Sequence, residues 1–155
     1  MIWEELKESL IFFNIKEREE KEILKIMGEV LICEGYAKPN YVQALVEREK
    51  DFPTGLKIQN IGVAIPHTDA KYVKKEGIAI AVLRDPVTFG LMGEEKKRIP
   101  VRIVFMLALL DPNTHVEYLQ RILSLIQDVE VLKALLVAED YTEIVQTIKE
   151  KENLL

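Results

Sequence analysis

The chain has two histidines, His67 and His115, and both stand at junctions between elements. His67 follows the run Ile61-Gly62-Val63-Ala64-Ile65-Pro66 and precedes Thr68-Asp69. Pro66 has no N–H to donate, and its ring restricts Ile65 to extended geometry. A strand through 61–65 must therefore stop just before the histidine. His67 is delivered to the place where a sheet opens, which is where α/β proteins bind ligands. His115 follows the turn Asp111-Pro112-Asn113, and Thr114 and Glu117 have capping-box spacing, which makes His115 the first residue of a helix. A free imidazole, with a pKa near ~6.5, keeps a lone pair on one nitrogen at neutral pH and forms covalent intermediates. For that nitrogen to be presented, the other must donate to something fixed. Thr68, Asp69 and a backbone carbonyl are the available acceptors.

Phosphoryl transfer is the chemistry that suits such a histidine. It asks the protein mostly for alignment and for stabilisation of charge on the equatorial oxygens. The helix opening at Thr114 offers unpaired N–H groups and the positive end of its dipole, with His115 as a side-chain donor. If that end faces His67 it makes an anion hole. Arg48, beside the Thr54-Gly55 turn, is a candidate clamp on phosphate oxygens, the alternative being an exposed pair with Glu47 or Glu49. His67, Asp69 and His115 lack the short spacing of a metal site, and there is no thiolate pair, so no metal is expected.

The elements that must position these residues can be read from periodicity. Ile23, Ile26, Met27, Val30 and Leu31 mark an amphipathic helix stopped by Gly35, with Cys33 expected as a buried structural thiol near its apolar stripe. Pro39 restarts the chain, and Val42, Leu45 and Val46 mark a second helix that ends at Phe52-Pro53-Thr54-Gly55. The strand leading to His67 is the first expected. Residues 77–83 form a buried strand, 87–89 a short one, 90–97 an exposed loop, and 101–109 a further strand that hydrophobicity makes central. Val116, Leu119, Ile122, Leu123 and Ile126 continue the helix of His115, Asp128 caps the next, and Asp140 with Glu143 opens the last. This order predicts an α/β fold, a single domain over residues 1–155, with a mixed β-sheet sandwiched by α-helices.

Composition narrows the partners. Hydrophobic residues at 48% and charged residues at 30% match an ordinary globular protein, and Cys33 has no second cysteine to pair with, which points to a reducing, cytoplasmic compartment. The net charge of -5 and the absence of a basic stripe argue against nucleic acid. No apolar run approaches the roughly 20 residues needed to cross a bilayer, and the first residues carry no signal-peptide pattern, so no direct membrane insertion is expected. Ile65, Val87 and Phe89 are candidates for an apolar surface around His67, of the kind on which transient partners dock.

The blocks Tyr41-Val42-Gln43-Ala44-Leu45-Val46-Glu47-Arg48-Glu49, Pro53-Thr54-Gly55, Val63-Ala64-Ile65-Pro66-His67 and Asn113-Thr114-His115 resemble, in order, the fructose/mannitol family of phosphotransferase-system (PTS) enzyme IIA domains, the type-2 EIIA domains. The resemblance implies a cytoplasmic phosphocarrier that accepts a phosphoryl group from the histidine phosphocarrier protein. It hands that group to a cysteine of enzyme IIB, and through it serves membrane-embedded IIC. It further implies that His67 is phosphorylated, that Arg48 stabilises charge, that His115 is the second active-site histidine, and that no cofactor takes part. Phe52-Pro53-Thr54-Gly55 and the Ile-Pro-His block are similar to galactitol-type members, whereas His115 is closer to the mannitol and fructose types. The alternative is the nitrogen-type regulatory branch, in which phosphorylation of the same histidine controls binding to other proteins.

Overall fold

The two longest strands lie side by side because their apolar halves are buried on both faces. In the computed structural model, which describes residues 1–111, 113 and 116–155 and of Glu95 the backbone alone, β4 (Gly77–Leu91) and β5 (Glu94–Ala108) run antiparallel. Alternate residues point to opposite faces. Ala79, Ala81 and Leu83 of β4, with Val104, Met106 and Ala108 of β5, face one apolar cluster; Ile78, Ile80 and Val82, with Ile103, Phe105 and Leu107, face another.

Helices cover both faces, as the sequence predicts. Helices α2 (Glu20–Cys33) and α3 (Tyr41–Asp51) bring Ile23, Leu24, Met27, Leu31 and Leu45 onto the alanine-rich face. The other face is covered by α1 (Ile2–Glu5), α4 (Val116–Ile126), α5 (Val129–Val137) and α6 (Tyr141–Glu152). Local chemistry sets several of their ends. Gly35, at φ +85°, follows α2 in a left-handed turn that costs other residues steric strain, and the Tyr36 N–H turns back to the Leu31 carbonyl. Asp128 accepts from the Glu130 and Val131 N–H groups, and Asp140 from that of Glu143, as their cap spacing implies. The capping box assigned to Thr114 lies outside the described residues.

Among the described residues, five strands make one mixed sheet. The short β1 (Ile11–Phe12) pairs parallel with β4, and β3 (Ile61–Ala64) pairs parallel with β5. β2 (Gly55–Ile58) pairs antiparallel with β3 through a tight hairpin whose Gln59 adopts φ 55°. β5 therefore lies between β4 and β3, the central place its hydrophobicity predicts.

Three expectations need correction. Residues 90–97 are not a loop: Gly90 and Leu91 end β4, Glu94 begins β5, and only Met92-Gly93 turns between them. Nor is 87–89 a separate strand, because β4 runs through Pro86 with a register shift between Val82 and Val87. Cys33, the last residue of α2, is exposed rather than buried, since the buried stripe runs through Leu24, Met27, Gly28 and Leu31 and has turned away at that point. Two strands, β1 and β2, were not anticipated.

Candidate functional site

β3 ends at Ala64 for the reason the sequence suggests. The Ile65 N–H makes a last ladder bond to the Thr54 carbonyl at 3.3 Å, and Pro66 has none to make. The chain is then tied to the central strand instead, the Leu107 N–H donating to the Pro66 carbonyl at 2.9 Å. His67 leaves this anchor with its ring half-buried, and Nδ1 lies 2.8 Å from the Ile65 carbonyl oxygen. A carbonyl can only accept, so Nδ1 carries the hydrogen and the lone pair is left on Nε2. Of the three acceptors open from sequence, the backbone carbonyl is the one in place. Burial, assisted by the nearby Arg48 charge, lowers the His67 pKa below 6.5, which keeps the ring neutral and nucleophilic at neutral pH.

Arg48 reaches the same place from α3. Tyr41, Leu45 and Glu49 form that helix's buried stripe, and the Tyr41 hydroxyl donates to the Leu107 carbonyl at 2.8 Å, fixing α3 on the strand that also holds Pro66. Arg48, two turns after Tyr41, then lines one cavity with His67. Its guanidinium lies 3.6 Å from Asp69 Oδ1 and over the Phe52 ring at 5.3 Å. The ion pair thus goes to Asp69, two residues past the histidine, and not to Glu47 or Glu49. Arg48 Nε is buried without a hydrogen-bond partner among the described residues, so the guanidinium has donor capacity left for an anion.

The cavity holds about 320 Å³ and is walled by Ile65, Leu107, Leu109, Leu110, Leu119 and Leu123, with Arg48, His67, Thr68 and Asp69 among its polar lining. Of the apolar surface expected around His67, Ile65 is present, but Val87 and Phe89 are at most 1% exposed in the cluster under α2 and α3. The leucines in their stead come from the exit of β5 and one face of α4. Leu119 and Leu123 carry a sequence signal, lying four and eight residues after His115, the spacing of one helix face. His115 itself lies outside the described residues. Among the described residues, no group of three or more His, Cys, Asp or Glu side chains is placed to hold a metal ion, and no helix is long and apolar enough to cross a membrane.

Sequence reasoning also missed a buried pair beneath the site. Glu49 Oε2 accepts from the Thr54 N–H at 2.7 Å, and Oε1 from the Thr54 hydroxyl at 2.8 Å. Burial pushes the Glu49 pKa up to about 7, against the opposing effect of those two bonds. A neutral imidazole with Nε2 unprotonated, beside a guanidinium with donors to spare and an apolar cavity, is equipped to take and give an anionic electrophilic group.

Known proteins resemble this chain over most of its length. Residues 4–151 match the family model described as "Phosphoenolpyruvate-dependent sugar phosphotransferase system, EIIA 2". The mannitol-specific phosphotransferase enzyme IIA component of Geobacillus stearothermophilus is 29% identical over 148 residues, covering 94% of this chain and 95% of the relative. The galactitol-specific EIIA component of Escherichia coli is 25% identical over 115 residues, covering 74% and 76%. Among solved structures, the mannitol enzyme IIA of Escherichia coli, in complex with phosphorylated mannitol enzyme IIB, superposes with a TM-score of 0.76 at 27% identity, covering 94% of this chain and 97% of that one. With the match running through nearly all the elements that build the site, the chain belongs to the EIIA 2 family of the phosphoenolpyruvate-dependent sugar phosphotransferase system.

Proposed function

We propose that this protein is a phosphoryl carrier, with the chain 1–155 acting as one IIA domain, and that His67 Nε2 is the atom that carries the phosphoryl group. The observation that carries the reading is the 2.8 Å bond from His67 Nδ1 to the Ile65 carbonyl, which leaves Nε2 as the nucleophile. In the first transfer Nε2 attacks the phosphorus held by the histidine phosphocarrier protein. A new N–P bond forms as the donor's P–N bond breaks, and the donor imidazole keeps the electron pair. His67 retains its Nδ1 proton throughout, against the Ile65 carbonyl. In the second transfer a cysteine thiolate of an enzyme IIB partner takes the group, and Nε2 recovers its lone pair. The complex of the mannitol relative with phosphorylated IIB supports that partner.

Arg48 neutralises charge on the transferred oxygens. Its partner Asp69 has a side chain 64% exposed, and ion pairs of that kind contribute about 0–1 kcal/mol, so an arriving phosphoryl group can displace the carboxylate. His115, four positions before the cavity-lining Leu119 in sequence, is the second donor. The relatives point to carbohydrate uptake of the galactitol, mannitol or fructose type.

The test is incubation with phosphoenolpyruvate, the general phosphotransfer enzyme and the histidine phosphocarrier, followed by mass analysis under alkaline conditions. One acid-labile phosphate is expected on the wild type and on His115→Ala, where it forms more slowly, and none on His67→Ala. A wild type that takes no phosphate, with donors active on a control acceptor, overturns the carrier reading.

A further inference from the structure

We propose that Glu49 is a positioning residue for His67: by taking the Thr54 N–H out of the β2–β3 ladder, it frees the Ile65 carbonyl to hold the imidazole in its Nδ1–H form. The inference rests on the reading of His67 as the phosphoryl acceptor.

The hairpin register carries the argument. Ile58 opposes Ile61, Leu56 opposes Val63, and Gly55 opposes Ala64. One step further, Thr54 opposes Ile65. Opposed residues of an antiparallel pair alternate between exchanging both N–H···O bonds and exchanging none, so a hairpin closed at Ile58 and Ile61 puts Thr54 and Ile65 in an exchanging position. Half of that exchange is made, the Ile65 N–H donating to the Thr54 carbonyl at 3.3 Å. The other half is replaced twice over. The Thr54 N–H donates to Glu49 Oε2 at 2.7 Å, and the Ile65 carbonyl accepts from His67 Nδ1 at 2.8 Å.

Neither replacement stands alone. Thr54 is 2% exposed, so an N–H without the Glu49 carboxylate has no water to turn to, and the acceptor opposite it in the ladder is the Ile65 carbonyl. Ladder and imidazole would then compete for one oxygen. The Thr54 hydroxyl, 2.8 Å from Oε1, fixes the second oxygen of the carboxylate and hence its orientation. Because a hydroxyl can donate or accept, the arrangement holds whether or not Glu49 is ionised, and a glutamine, with one oxygen and one NH₂, satisfies the same two partners. The Arg-Glu, Pro-Thr-Gly and Ile-Pro-His blocks are in this way consecutive links of one hydrogen-bond chain that ends on the nucleophile.

The test is long-range ¹H–¹⁵N spectroscopy of ¹⁵N-histidine-labelled, unphosphorylated protein, which reads the His67 tautomer directly, for wild type, Glu49→Ala, Glu49→Gln and, as a core control, Leu45→Ala. The wild type is expected in the Nδ1–H form, Glu49→Ala as a tautomer mixture, and Glu49→Gln like the wild type. Phosphoryl acceptance by Glu49→Ala should fall about tenfold, roughly the worth of one hydrogen bond, and return with Glu49→Gln. An Nδ1–H ring in Glu49→Ala, with only the loss of melting temperature that Leu45→Ala also shows, makes Glu49 a structural residue and overturns the proposal. So does a glutamine that fails to restore the tautomer. Should Glu49→Ala not fold, an Nε2–H ring in the wild type or in Glu49→Gln still overturns it. Because the tautomer needs no donor protein, failure of the relay, seen as no phosphate on the wild type, is separable from failure of this positioning role.

Discussion

Two carboxylates are buried among the described residues, Glu49 and Glu152, at 6% and 1% exposure, and their helices cover opposite faces of the sheet. Glu152, at the end of α6, accepts from the Ile2 N–H at 3.0 Å and the Trp3 N–H at 2.7 Å, and Arg121 of α4 approaches it at 3.6 Å. It clasps the first helix onto the last. The Lys149 ammonium over the Trp3 ring, at 4.6 Å, closes the same seam. Glu49 instead meets an amide and a hydroxyl of a single residue, and its neighbouring arginine pairs elsewhere, with Asp69. One region satisfies its buried charge with a guanidinium and two backbone donors. The other leaves its guanidinium beside the histidine, where an anion can use it. A buried carboxylate with its arginine secures structure, and one whose arginine is released to a cavity supports chemistry.

Breaking each region in turn sharpens this contrast most. Arg48→Ala should slow phosphoryl acceptance by about 10²-fold, the usual cost of losing one preorganised donor to a transition-state oxyanion, while urea unfolding moves by less than about 1 kcal/mol. Rapid-quench phosphorylation and a denaturation curve measure both. A loss of stability without a loss of rate would place Arg48 in the class of Arg121. At the clasp, Glu152→Ala leaves two backbone N–H groups without their acceptor and should cost about 3 kcal/mol in urea unfolding, with phosphoryl acceptance unchanged at temperatures where the variant is folded. A slowed transfer there would break the division between the two regions.

The last test reads the titration of Glu49. The folded pKa of Glu49, about 7, lies above its ordinary value of 4.5, so between those values the folded chain holds a proton that the unfolded chain has lost. The stabilisation is complete below the unfolded pKa and is lost as pH rises through the folded one. Across pH 4.5 to 7 the wild type should lose at most about 3 kcal/mol relative to Glu49→Gln, which cannot titrate there. Urea unfolding of both proteins at several pH values reads the difference, and parallel curves would show that burial does not raise this pKa. Over the same range His67 contributes in the opposite sense. Its lowered pKa makes the folded state resist protonation, so its contribution is lost as pH falls below 6.5.

What the sequence determined by itself is what short-range physics encodes. Helical periodicity marks α2 through α6, because each buries one stripe. Asp128 and Asp140 announce the starts of α5 and α6, because a cap needs only its own first turn. Pro66 places His67 at a strand end for an equally local reason, the missing N–H. The tertiary structure alone decided what depends on partners distant in sequence. Residues 94–98 carry charges yet form a strand, because backbone pairing with β4 replaces an apolar pattern where that strand meets solvent. Val87 and Phe89 look like docking residues until the sheet turns them inward, and Arg48 looks paired with its glutamate neighbours until folding brings Asp69 to it. Which acceptor holds His67 was likewise open from sequence. Thr68, Asp69 and the Ile65 carbonyl all lie within two residues of the ring, but the carbonyl that is free is decided across the hairpin, where Thr54 opposes Ile65 and Glu49 takes the competing donor.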